Sequence, residues 1–298
     1  MNDRGYDKLV KYLFPGAELR AFERLTGGVS ADVHRLDLAM SGEEPRSVVL
    51  REHGATHSGH SAALEYHLLD ALFRSGVPVP RPLHVDDTGQ MLEAPFVMMA
   101  FVTGSTEIPF SSTEVYICKA ADMLAKIHSL PTEDMPHLPD RLDPLPEVFE
   151  YLPAGKDWQE LTGFLQTLIK TGYLGAPRLL HGDFWPENLL WQDGAIVAIL
   201  DWEDAAIGDP LSDLACSRLE FRYKFGLEGM QAFTETYGSR LPIDWERLAL
   251  WEIYVGAAAQ HFMGDWGLPS DREAHMRQIA LTSIQEAGAA LMSGADFY

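Results

Sequence analysis

Asp183 and Asn188 stand five residues apart in HGDFWPENLLWQDGAIVAILDWEDAAIGDPLSDL, the stretch that runs from His181 to Leu214. A carboxylate and an amide at this spacing suit two linked tasks. The Asp can orient an attacking hydroxyl and take its proton, while the Asn holds a metal ion beside a phosphoryl group. Just downstream, Leu189-Leu190-Trp191 and Ile196 to Leu200 are apolar runs joined through Gln192-Asp193-Gly194-Ala195. An Asp-Gly pair between two such runs signals a hairpin with a two-residue loop. In that register Trp191 faces Ile196 and Asn188 faces Ile199. Asp201 then becomes a diagonal neighbour of Asn188, roughly 7–8 Å away between backbones. Hard oxygen ligands of this kind suit magnesium shared with phosphates. The plain alternative, an ordinary turn with polar ends, is set aside.

The string HGD-x-x-P-x-N-L-L followed by I-L-D-W-E-x-A-x-x-G-D-P-x-x-D-L-A resembles the signature of the aminoglycoside phosphotransferase and choline kinase family, the small-molecule branch of the protein-kinase-like fold. The resemblance implies an α+β fold of two lobes. A β-rich, nucleotide-binding N-lobe would take residues 1–102, and a mostly helical C-lobe, residues 103–298, would carry the catalytic loop, metal site and acceptor site. The implied activity is transfer of the γ-phosphoryl group of ATP to a hydroxyl of a small molecule, an aminoglycoside, amino alcohol, sugar or macrolide. Asp183 would be the base and Asn188 and Asp201 the Mg2+ ligands. The resemblance also places Asp213 beneath the catalytic loop and the adenine edge against the backbone of Ala100 and Val102. His181 is read as a residue that holds the loop, not one that does chemistry. Asp201-Trp202-Glu203 in place of D-F-G, with no A-P-E after it, argues against protein substrates.

The elements that must position these groups follow in chain order. Tyr6, Leu9, Val10, Leu13 and Phe14 repeat at helical spacing before Pro15-Gly16. Gly27-Gly28 lies between two strand-like segments and makes a candidate phosphate loop, whose bare backbone can approach an anion closely, with Ser30 adding a hydroxyl. It lacks the G-x-G-x-x-G of protein kinases. Ser47 to Arg51 reads as a strand that ends in a cation, at the position where kinases carry a phosphate-binding lysine. An arginine there offers a bidentate fork where lysine offers a point charge. Its expected partner is Glu65, in a helix from about Gly59 to Phe73. Strands are expected near Leu83 to Val85 and over Ala94 to Val102, the second leading to a hinge at Gly104. Helices are expected over Thr113 to His128, Trp158 to Gly172, Leu211 to Phe225, Met230 to Tyr237 and Asp244 to Met263. Asp209-Pro210 reads as an N-cap followed by a proline at the first helical position. The intervening Ser129 to Trp158 holds six prolines and reads as loop that could line the acceptor site.

Composition bounds the rest. An apolar fraction of 46% and a charged fraction of 22% are those of a soluble globular protein. No apolar run approaches the ~20 residues of a membrane span. Cys118 and Cys216 are the only cysteines and form no disulfide framework, so a cytoplasmic setting is expected. A net charge of −21 argues against nucleic acid as a partner. The acid is concentrated in residues 105–298, with 30 acidic and 13 basic side chains against 14 and 10 in residues 1–104. That field favours a neutral or cationic acceptor. Two rival readings fit parts of the sequence. One is a kinase-like nucleotide-binding module without turnover. The other is an H-x-D iron oxygenase using His181, Asp183 and His261, which the helical C-terminal half opposes.

Overall fold

Leu36 and Leu38, Val48 and Leu50, and Phe96 and Met98 point inward in alternation on neighbouring strands, and this period of two builds the core of the first of two compact units. The computed structural model describes residues 5–25, 31–40, 42, 44–54, 59–108, 112–169 and 172–293. Gly27, Gly28 and Ser30 lie outside the described residues.

The first unit takes residues Met1–Glu107, Glu133–His137 and Leu189–Asp204. Helix α1 (Tyr6–Leu13) precedes β1 (Ala17–Arg24), β2 (Asp32–Met40) and β3 (Arg46–Glu52), followed by α2 (Ala62–Arg74), β4 (Pro82–Asp86) and β5 (Phe96–Ala100). The five strands form one antiparallel sheet in the order β1-β2-β3-β5-β4. Helix α1 buries Tyr6, Leu9 and Val10 on this sheet, and the Tyr6 hydroxyl donates to Glu52 Oε1 at 2.5 Å. Ser61 caps α2 by accepting from the Leu64 N–H.

The second unit takes Ile108–Thr132, Leu138–Asn188 and Ala205–Tyr298. It contains α3 (Thr113–Ile127), β6 (Asp140–Arg141), α4 (Val148–Tyr151), α5 (Gln159–Leu168) and β7 (Arg178–Leu180). The hairpin β8 (Leu189–Gln192) and β9 (Ala195–Ile199) belongs to the first unit. The chain then returns to the second with β10 (Ala206–Gly208), α6 (Pro210–Gly238), α7 (Trp245–Phe262) and α8 (Ser270–Ser293). The two helices expected over 211–237 both lie within α6 and meet at a kink at Gly226, whose φ of 72° and ψ of −170° are non-helical. Helix α8 shows only a weak apolar stripe because it packs with small residues. Ala280, Ala287 and Gly288 let it approach its neighbours closely, and a Cβ at Gly256 of α7 would lie 2.6 Å from Ile284.

The division therefore differs from a single cut after residue 102. Ser105 and Trp191 exchange backbone bonds of 3.0 and 2.8 Å, and the Ile199 N–H donates to the Pro78 carbonyl at 2.7 Å. These bonds join the β8–β9 hairpin to the N-terminal unit. As a result Asn188 and Asp201 fall in different units.

Candidate active site

Strand β7 delivers the chain to His181, and the loop that follows is held from below by one buried carboxylate. Asp213, in the first turn of α6 and 1% exposed, accepts from the His181 N–H at 2.6 Å and from the Gly182 N–H at 3.0 Å. Gly182 has a φ of +90°, which a side chain would strain, and that turn aims both amides at one carboxylate. His128 Nε2 lies 3.2 Å from the same carboxylate, and its Nδ1 lies 2.7 Å from the Tyr237 hydroxyl. Burial alone would raise the Asp213 pKa. The His128 hydrogen bond, the His128 and His181 rings and the His181 N–H outweigh it and hold the carboxyl below its ordinary range.

His181 Nδ1 accepts from the Asp183 N–H at 3.2 Å, and the fully buried ring serves as part of the loop's scaffold. Asn188 Nδ2 donates to the Asp183 carbonyl at 2.9 Å and to Asp183 Oδ2 at 3.1 Å. The amide is thereby oriented, and its own oxygen accepts no hydrogen bond among the described residues. Ser217 donates to the Phe184 carbonyl at 2.9 Å and Tyr116 to that of Pro186 at 3.3 Å, which ties the loop to α6 and α3.

Asp209 caps α6 through the Leu211 N–H, as expected, and is fully buried. Its second oxygen accepts from Arg247 Nε and Trp251 Nε1, both at 2.7 Å. Trp251 is thus a core residue. Gly208 precedes this cap because β10 runs against β6, and a Cβ there would lie 1.9 Å from the Arg141 carbonyl oxygen. His261 packs against Tyr151 and Phe262 at ring-centroid distances of 5.3 and 4.7 Å. Among the described residues no three His, Cys, Asp or Glu side chains converge to hold a metal, so the iron triad of His181, Asp183 and His261 is not assembled.

In the first unit Arg51 is 8% exposed and faces three carboxylates. The acid expected beside it is there, with Arg51 Nε 3.5 Å from Glu65 Oε2. Nη1 donates to Asp201 Oδ1 at 3.1 Å, and Nη2 forms a close ion pair with Glu203. His53 Nε2 lies 2.8 Å from Glu65 and braces it. At the end of β5 the Phe101 N–H donates to Ser47 at 3.2 Å and the Ala100 N–H to the Arg81 carbonyl at 2.9 Å, while Val102 makes no backbone bond among the described residues. The β8–β9 turn has positive φ at both Asp193 (49°) and Gly194 (76°), as a two-residue hairpin loop requires.

The register of that hairpin needs correction. Trp191 does pair with Ile196, but Leu190 pairs with Ala198, so Val197 is an extra residue in β9. This bulge sets Leu189, not Asn188, opposite Ile199, and the diagonal relation inferred for Asn188 and Asp201 does not hold. Asp201 itself has a φ of +60°, a left-handed conformation that asparagine and aspartate tolerate best after glycine.

Three residues escaped the sequence reading. Glu203 could have been found from its place two residues past Asp201. His128 gave no signal, because its partners lie 85 and 109 residues away. Glu220 on α6 gave none either. Burial, and then the Asp183 and Glu187 carboxylates, push its pKa up to about 8.

Comparison with known proteins bears on this geometry. Acyl-CoA dehydrogenase family member 10 of Mus musculus is 26% identical over an alignment of 209 positions that covers 62% of this chain and 19% of that protein. The chain therefore spans about a fifth of the length of this curated relative. A thermostable variant of aminoglycoside phosphotransferase APH(4)-Ia, solved with ADP and hygromycin B, superposes with a TM-score of 0.65 at 16% identity over 95% of this chain and 98% of that one. A choline/ethanolamine kinase family protein of Mesorhizobium loti gives 0.65 at 17% identity over 98% of both chains. These likenesses establish the kinase-like fold. The sequence profile of the phosphotransferase enzyme family matches residues 21–251, and the chain belongs to that family.

Proposed function

We propose that this protein transfers the γ-phosphoryl group of ATP to a hydroxyl of a small neutral or amine-bearing molecule. The observation that carries this reading is the Asp183–Asn188 pair, hydrogen-bonded at 3.1 Å on a loop whose backbone Asp213 holds. Asp183 orients the acceptor hydroxyl and takes its proton as the oxygen bonds to the γ-phosphorus and ADP departs. Arg51, braced by Glu65, binds phosphate oxygens. Gly27, Gly28 and Ser30, which lie outside the described residues, would add backbone and hydroxyl donors, and the backbone at Ala100 and Val102 would take the adenine edge.

Asn188 and Asp201 are the residues that would hold magnesium. The donor chemistry fits, since both offer hard oxygens and the Asn188 amide is turned with its oxygen away from Asp183. Bound there, magnesium supplies charge neutralisation on the phosphates. The protein's own contribution is alignment. The acidic excess over residues 105–298 supports the acceptor class, as do the solved relatives, one bound to hygromycin B and another described as a choline/ethanolamine kinase family protein.

A coupled ADP-release screen over cationic, neutral and anionic hydroxyl compounds tests the reading. ADP release is expected with a neutral or amine-bearing acceptor, and Asp183→Asn should lower it about 10²–10⁴-fold while MgATP still binds. MgATP binding without turnover on any compound would instead indicate a nucleotide-binding module. A best acceptor that is anionic would overturn the acceptor class.

A further inference from the structure

Between α4 and α5 the chain turns back through Gly155, whose φ of 143° and ψ of 169° are open to glycine alone. The Gly155 carbonyl accepts from the Trp158 N–H at 3.2 Å, which fixes the turn. Residues of α4, the turn and α5 line a cavity of about 540 Å³, inside the range of about 300–1,000 Å³ for small-molecule sites. Its apolar wall is Phe149, Leu152 and Trp158, which pack from behind on the core that α5 shares with α7 and α8. Its polar wall is α5, where Gln159, Thr162 and Gln166 fall at helical spacing on one face. The side chains of these three make no hydrogen bond among the described residues, so two amides and a hydroxyl stand ready for a ligand.

Gly163 lies between them. A glycine inside a helix weakens it relative to alanine, and packing gives no reason for this one, since a Cβ there would meet nothing within 4 Å. At Gly288, by contrast, a Cβ would crowd Leu161 at 3.1 Å. The bare backbone at Gly163 leaves the cavity a flat floor. None of the ten lining residues is charged, although residues 105–298 carry 30 acidic and 13 basic side chains. An ionic ligand would lose water here without gaining a counter-charge. A wholly apolar one would leave the amides and hydroxyl unpaired. We propose that this cavity is a binding site, built from none of the catalytic or metal residues named above, for an uncharged ring with an apolar face and a rim of hydroxyls, a pyranose or cyclitol. The ring's face lies on Trp158, and its hydroxyls bond Gln159, Thr162 and Gln166.

Saturation-transfer NMR of the full chain without nucleotide tests this. The probes are the methyl glycosides of glucose, galactose and mannose, with myo-inositol and glucosamine. At least one neutral ring should bind saturably, and Trp158→Ala and Gly163→Leu should each weaken it on the order of tenfold. Leucine is the better helix former, so Gly163→Leu should melt no lower than wild type while filling the floor. It keeps the test decisive if Trp158→Ala fails to fold. No saturable binding by any neutral ring overturns the site, as does binding that Gly163→Leu leaves unchanged. Glucosamine binding tenfold more tightly than every neutral ring overturns it too. The ring has two sources, a part of the phosphoryl acceptor or a free sugar. With an acceptor in hand from ADP release, Gly163→Leu raises its KM at unchanged kcat in the first case and leaves both alone in the second. Because the NMR assay uses no nucleotide, its failure leaves the phosphotransferase reading standing, and failure of that reading leaves the cavity's ligand intact.

Discussion

Replacing Asp213 by Asn should loosen the loop that begins at His181 and destabilise the fold together. The carboxylate accepts three hydrogen bonds, from His181 N at 2.6 Å, Gly182 N at 3.0 Å and His128 Nε2 at 3.2 Å, while 1% exposed. An amide keeps one oxygen and turns an NH₂ group toward an N–H that cannot accept. One charge-assisted bond is lost, about 1.5–3 kcal/mol, and one buried N–H is left unsatisfied, about 1–3 kcal/mol. The sum, roughly 2.5–6 kcal/mol, brackets the range of about 3–5 kcal/mol for breaking a buried charged pair. For a chain of this size it corresponds to a fall in melting temperature on the order of 10 °C. Turnover should fall about 10²-fold from misplacement of Asp183, with little change in MgATP affinity, since Arg51 and Glu65 make none of these bonds.

The sign with pH follows from the lowered Asp213 pKa. A carboxyl depressed in the fold stabilises it above the unfolded pKa, and loses that contribution as pH falls through the folded value. The difference in stability between wild type and Asp213→Asn should thus be full at neutral pH and shrink below about pH 4. Melting curves from pH 3 to 8, with ADP-release rates at neutral pH, provide the assay. A variant that melts with wild type and turns over normally would refute the assignment of Asp213 as the loop's support.

Arg51 and Glu65, 3.5 Å apart, should show coupling in a double-mutant cycle on nucleotide affinity, and simple additivity would dissolve the pair. Asp201→Ala should remove the magnesium dependence of ATP binding, and an unchanged dependence would take Asp201 out of the metal site. Glu220, raised to about 8, holds a proton in the fold that the unfolded chain releases at its ordinary 4.5. Stability should therefore fall as pH rises between those values, by at most about 1.4 kcal/mol per pH unit. Glu220→Gln should flatten that slope, and identical slopes in the two proteins would show that the carboxyl titrates normally.

Much of the local geometry was legible in the sequence because it depends on near neighbours. The five-residue spacing of Asp183 and Asn188, the Asp193-Gly194 turn, the Asp209 cap and the break near Gly226 each depend on neighbours within a few positions. Periodicity and backbone preference are properties of the chain itself, so a sequence declares them. The Arg51–Glu65 pair was accessible through family resemblance, which carries long-range geometry that local pattern cannot.

Tertiary structure alone decided the rest. The Val197 bulge moved Leu189 into the place assigned to Asn188, because packing and twist choose whether a hairpin accommodates an extra residue. Glu203 meets Arg51 across 152 positions, and His128 meets Asp213 across 85. The raised pKa of Glu220 comes first from burial and then from carboxylates on another segment, 37 and 33 positions away in sequence. Such contacts depend on which elements pack together. Side-chain identity sets what each group can do, but the charges that face an arginine or hold a carboxyl neutral are set by neighbours that only the folded chain brings near.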